Sequence, residues 1–182
     1  MEQGTANSHY YTFSTFAQTL AGAIGFLAAV VLYKVQRLDD ETAPYGDHLV
    51  RYWDDVDAND PNAEARAAWR SWRRRAYGEF LSLLRRTPAA TQHPGRREHF
   101  LRFEVLVGQR NSLLSAFHWA LALTVATMAG CGFVLISVHD FAPSSGAWIL
   151  SLGYGAFLLC LASYTKVALQ VFASPRDPKQ PQ

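Results

Sequence analysis

Residues 10–33, YYTFSTFAQTLAGAIGFLAAVVLY, run for 24 positions without a charged side chain. A bilayer core about 30 Å thick needs about 20 helical residues at 1.5 Å rise each, so this stretch is long enough to cross it. Two further runs have the same character: residues 111–138, with His118 as their only titratable side chain apart from Cys131, and 141–165. Each carries aromatics suited to a membrane interface, namely Tyr10, Tyr11 and Tyr33, then Trp119, then Trp148 and Tyr164. Three buried core helices of this length would need a soluble shell far larger than 182 residues supply. The fold class expected is an all-α integral membrane protein: three transmembrane helices with a helical insertion between the first and second.

The composition, 49% hydrophobic and 18% charged, looks like that of an ordinary globular domain only because it averages two unlike parts. Charge is concentrated between the first two apolar runs, where residues 39–110 hold twelve Arg and twelve Asp or Glu. Opposite signs in equal number argue against a simple polybasic patch for lipid or nucleic acid.

The positions of the 17 Lys and Arg set the expected orientation. None precedes Tyr10 and none falls between His139 and Gly146, whereas Lys34, Arg37, the arginines of the loop, Lys166, Arg176 and Lys179 all lie on the other side. Basic residues near span ends stay in the cytoplasm. The expected layout is therefore an external tail (1–9), a first span (10–34), a cytoplasmic helical module (39–110), a second span (111–138), a short external loop (139–146), a third span (147–168) and a disordered cytoplasmic tail (173–182). The location expected is the cell membrane, the inner one if the cell is bacterial, with the N-terminus outside. A cleaved signal peptide would need a basic leader and a shorter apolar stretch, and neither is present.

Within the module, Pro44 stands where a first helical residue belongs, and Tyr45, Leu49, Tyr52, Trp53 and Val56 follow at amphipathic spacing. Asp60 and Pro61 then open a second helix whose apolar face, Trp69, Trp72, Ala76, Phe80 and Leu83, lies opposite Arg66, Arg70, Arg73 and Arg74. Trp69, Trp72 and Phe80 are the expected docking face of the module. Residues 87–95, with Pro88, Pro94 and Gly95, read as a breaker, after which Phe100, Phe103 and Val107 lead without interruption into the second span.

Two rows of small or polar residues run along the spans. In the first span they are Tyr11, Ser14, Gln18, Ala21, Gly25, Ala28 and Leu32; in the second, Ser112, Ser115, Trp119, Ala122, Ala126 and Ala129. Small residues let helices approach closely in lipid, and a buried amide such as Gln18 seeks a partner. Such rows serve packing within one chain, an interface between chains, or the wall of a pore. Ser14, Gln18, Ala21, Gly25 and Ala28 are the candidate assembly or pore face, and His118 is the candidate intramembrane proton or ion site. Lys166 closes the third span, where its stem can snorkel to the interface.

Chemistry of other kinds finds little support. Asp55, Asp57 and Asn59 open like a calcium loop, but Asp60 stands where the turn glycine belongs and Arg66 where the bidentate Glu belongs. Asp39 and Asp40 lie at a span end among basic residues, as on a solvated surface. Helical rise puts Cys131 roughly 10 Å and Cys160 roughly 24 Å from the outer face, too far apart to bridge. No phosphate loop, nucleophile elbow or zinc cluster occurs in the sequence. The expectation is a non-enzymatic membrane protein without cofactor or nucleic-acid partner, surrounded by lipid and assembling as a homo-oligomer or with a protein partner. A subunit of a homo-oligomeric channel is the alternative.

Overall fold

A computed structural model describes the backbone of residues 2–56, 63–86, 94–137 and 146–173, and the side chains of 10–51, 66–86, 95–137 and 147–173. Five helices account for all of it except residues 74–76 and Ala173: α1 (Glu2–Val56), α2 (Ala63–Arg73), α3 (Tyr77–Arg86), α4 (Pro94–Ser137) and α5 (Gly146–Phe172). Helices α1, α4 and α5 are each long and apolar enough to cross a membrane. Residues 139–145 of the expected loop, the polar tail after Ala173, and Asp57, Asn59, Asp60 and Pro61 lie outside the described residues.

The chain divides into two compact units, Met1–Tyr33 with Leu113–Ala173, and Lys34–Ser112. In α1 and α4 the division falls where the charge-free runs end.

In the first unit, inward positions recur every three or four residues: Phe13, Phe16, Leu20, Leu27 and Val31 on α1, Leu113, Ala120, Thr124, Thr127 and Cys131 on α4, and Cys160, Tyr164, Val167 and Val171 on α5. That alternation keeps one stripe of each helix facing its neighbours. Bulky α1 side chains fill the centre. Phe16 stacks on Phe157 at 4.6 Å and meets Tyr154 edge-on at 5.0 Å. Phe13 lies so close to Gly153 that a Cβ there would overlap its ring, so α1 and α5 approach over a glycine.

The second unit corrects three expectations. First, α1 does not stop and restart at Pro44; it is helical from Glu2 through Val56 with Pro44 inside it, and residues 2–9 are helix as well. An interior proline costs about 3 kcal/mol. Burial of Leu38, Leu49 and Val50 on the same helix, at about 1.5–3 kcal/mol each, outweighs that. Pro44 and Asp40 are both exposed, so water can reach the carbonyl that the proline leaves unpaired, and Thr42 Oγ1 donates to Leu38 O at 2.5 Å in the preceding turn.

Second, the single amphipathic helix expected after Asp60 is two helices. At Arg75 the backbone turns left-handed, with φ 54°. The N–H of Ala76 donates to Ser71 O at 2.8 Å and that of Arg75 to Trp72 O at 2.9 Å, the pair of bonds that closes a Schellman cap. Glycine normally takes this position, so sequence inspection sees no stop. The break lets Trp72 and Tyr77 enter one core from both sides of the turn. Third, Pro94 and Gly95 belong to the first turn of α4 rather than to a breaker, since proline's fixed φ suits a helix start.

The core of this unit joins Leu49 and Val50 of α1, Ala68 of α2, Tyr77, Phe80 and Leu84 of α3, and Phe100, Phe103 and Val107 of α4. Phe80 and Phe103 meet edge-on at 5.4 Å. Trp69 and Trp72 pack against the same cluster, so the aromatic face expected to dock is covered by the chain's own helices. Trp72 lies across Gly46 and donates from Nε1 to Asp47 Oδ1 at 3.0 Å.

A Cβ at position 46 would overlap the Trp72 indole, and the Trp72 side chain also touches Tyr77 and Phe103, so it has little room to retreat. Gly46→Val is expected to lower stability by about 1–3 kcal/mol, the usual cost of overpacking. Thermal unfolding of the detergent-solubilised protein, followed by tryptophan emission, checks this; an unchanged midpoint would count against the packing described.

Candidate functional site

Asp39 is 7% exposed, on the inward stripe that continues from Leu38 to Thr42 along α1. A carboxylate removed from water must be paired or hydrogen-bonded, and this one is both. Arg110 of α4 donates from Nε to Oδ1 at 2.8 Å, and Arg75 from Nη1 to Oδ2 at 3.4 Å. The Tyr77 phenol lies near enough to the same carboxylate to feel its charge. The Arg110 guanidinium also lies 5.0 Å over the Tyr77 ring. One side chain thus ties α1, the α2–α3 turn and α4 together.

The Arg110 pair is the stronger of the two, being shorter and with a guanidinium only 21% exposed, against 66% for Arg75. Arg75 reaches Asp39 from the left-handed cap position, a conformation costing about 1–2 kcal/mol for a non-glycine residue. Burial pushes the Tyr77 phenol above its ordinary value of 10.0, and the nearby Asp39 charge adds to the rise, against the opposing pull of Arg75 and Arg110. A second cross-link, between Arg85 of α3 and Glu104 of α4, closes the other end of α3.

Sequence inspection missed this site and placed Asp39 on a solvated surface. A signal was there. With α1 read as continuous, Asp39 falls one position after Leu38 and three before Thr42, inside the buried stripe. The supposed restart at Pro44 hid that register.

A second group of polar contacts crosses the α4–α5 interface in the first unit. Thr124 Oγ1 lies 2.6 Å from the Tyr164 hydroxyl and Thr127 Oγ1 3.3 Å from Cys160 Sγ. Both threonines also donate to the carbonyl four residues earlier, Thr124 to Ala120 O at 2.7 Å and Thr127 to Leu123 O at 2.9 Å. Tyr164 was expected at an interface with headgroups; at 8% exposure it packs instead inside the unit, because Thr124 offers its hydroxyl a partner. Cys131 and Cys160 are both free and buried.

The candidate small-residue face points elsewhere. Gln18, Ala21 and Gly25 are exposed, and Ser14 and Ala28 half-buried, because the large side chains from Phe13 to Val31 occupy the inward stripe. The row on α4 behaves alike: Ser112, Ser115, Ala122, Ala126 and Ala129 are exposed together with Trp119. Packing inside the unit leaves most of both rows uncovered. His118 is exposed beside Trp119, and Lys166 is exposed on α5. Among the described residues no group of three or more His, Cys, Asp or Glu could hold a metal ion.

Removing the Asp39 charge strands Arg110 in a half-closed site, so Asp39→Asn is expected to cost about 3 kcal/mol. Arg75→Gly removes an exposed, long ion pair but also relieves the left-handed strain, so its net effect should stay within about 1 kcal/mol. Chemical denaturation of the two variants tests the ranking, and equal losses would contradict it. A further expectation concerns alkaline pH. Because the folded value of Tyr77 is raised, its contribution is fully present below about pH 10 and is lost as pH rises through the folded value. Tyr77→Phe should flatten the alkaline limb of a stability-against-pH profile, and an unaltered slope would assign that limb to other groups.

Comparison with protein-family models, with curated proteins and with solved structures finds no match to this chain.

Proposed function

We propose that this is a membrane-embedded assembly protein, non-enzymatic, in which copies of the chain associate through the outward rows of α1 and α4 while the unit 34–112 forms a rigid cytoplasmic module. The carrying observation is Gln18. Its amide is exposed on α1 and lies eight residues past Tyr10, roughly 12 Å of helical rise into a core about 30 Å thick. A polar amide at that depth gains from a partner, and Ala21 and Gly25 beside it let a neighbouring helix come close. Phe13, Phe16, Leu20, Leu27 and Val31 are used inside the unit, which leaves Gln18, Ala21 and Gly25 for a second chain.

The orientation supporting this reading places every Lys and Arg on one side, with the module and C-terminus in the cytoplasm. A channel is the second reading. It is favoured by a specific feature: His118 on α4 and Gln18 on α1 are both polar and both outward, as pore-lining groups of an oligomer would be.

Gln18→Leu and Gly25→Leu both make α1 more apolar and should insert normally. Each is expected to shift the parent oligomer toward monomer in mild detergent, since one interhelical hydrogen bond contributes roughly 0.6–2 kcal/mol per contact. Light scattering on the purified variants reads the mass. A monomeric parent ends the assembly proposal; an oligomeric parent whose Gln18→Leu variant keeps its size but changes ion flux in liposomes moves the reading to a channel.

A further inference from the structure

Averaged over residues 39–110 the charges cancel, but several acids of the described residues are already engaged inside the folded unit. Asp39 is taken by Arg75 and Arg110, Glu104 by Arg85, and Asp47 by the Trp72 indole. On α2, by contrast, Arg66, Arg70, Arg73 and the adjoining Arg74 are all exposed. Their spacing of four, three and one places all four guanidiniums within roughly 100° of one side of the helix. Arg70 Nε donates to Arg66 O at 3.1 Å and the Arg73 guanidinium sits 5.5 Å over the Trp69 ring. None of the four pairs with a carboxylate among the described residues. The opposite side of α2 is fixed in the core by Ala68 and Trp72, so the arginine face is held outward.

We infer that this arginine face of α2 binds the anionic phosphate headgroups of the membrane in which the chain sits. Charge complementarity selects an anion, and position selects lipid. The turn that follows α2 meets α1 at Asp39 through Arg75, and Asp39 is only five residues along the chain from Lys34, which directly follows the apolar run. Trp69, half-buried at the edge of the face, is the aromatic type that settles at such a boundary. Guanidinium forks match phosphate oxygens two at a time. The inference concerns lipid and holds for a monomer as for an oligomer, so it stands or falls apart from the assembly proposal.

The test uses the full chain in mild detergent, titrated with mixed micelles of phosphatidylglycerol or phosphatidylcholine, with retained lipid counted by native mass spectrometry. The parent is expected to prefer phosphatidylglycerol, and the preference should shrink as salt shortens the screening length from about 8 Å at 0.15 M to about 3 Å at 1 M. The quadruple variant Arg66→Gln, Arg70→Gln, Arg73→Gln, Arg74→Gln should bind phosphatidylglycerol roughly 10- to 100-fold more weakly. Arg86→Gln with Arg97→Gln, two exposed arginines off this face, should behave as the parent. If the quadruple variant does not fold, the double variants Arg66→Gln, Arg70→Gln and Arg73→Gln, Arg74→Gln should each remove part of the preference. No preference in the parent, an undiminished preference in the variants, or equal loss in the control pair overturns the inference. So does displacement of the lipid by millimolar inorganic phosphate, which would make the site a free-anion site. A variant that loses oligomer mass but keeps its lipid would make the face a contact between copies, and overturns it too.

Discussion

A carboxylate shielded from water is costly unless other groups replace the water, and Asp39 sets the arrangement of the unit around it for that reason. Its partners come from two separate stretches, Arg75 at the α2–α3 turn and Arg110 on α4, with the Tyr77 ring beneath the Arg110 guanidinium. Apolar packing alone fixes distances loosely, whereas a charge with directed donors fixes which residues meet. The Trp72, Phe80 and Phe103 cluster then fills the space that those contacts define.

The same economy of partners explains the first unit, where lipid gives no hydrophobic reason for helices to associate. Phe13, Phe16 and Leu20 contribute shape, while Thr124 with Tyr164 and Thr127 with Cys160 contribute polar contacts between α4 and α5. Each threonine hydroxyl is also bonded to its own helix, so neither is left without a partner at depth. Among the residues that remain outward on α1 and α4, Gln18 is the one whose chemistry most calls for a neighbour.

A division of labour follows from these two halves. Inward stripes of α1 serve two purposes along one uninterrupted helix: aromatic and aliphatic filling up to Val31, then a buried charge and a close glycine contact from Asp39 to Gly46. The proposed assembly through Gln18 and the proposed lipid contact through α2 use surfaces that this internal packing leaves uncovered.

The sequence by itself determined three helices long and apolar enough to cross a membrane, because length and absence of charge are properties of consecutive residues that no tertiary contact alters. It also determined that α4 runs unbroken from Phe100 into the second apolar run. Local signals failed where packing outweighed them. Pro44 reads as a start, yet burial of Leu38, Leu49 and Val50 carries the helix through it. Arg75 reads as mid-helix, yet it takes a left-handed cap that a glycine would have announced. Asp39 reads as surface because its partners lie 36 and 71 residues away. Which face of α1 turns inward was likewise undecided by periodicity, since the small row and the bulky stripe repeat at the same interval. Only the tertiary structure, by placing Phe16 against Phe157 and Phe13 on Gly153, decided it, because large side chains interdigitate with the helices of their own unit and leave the small row outside.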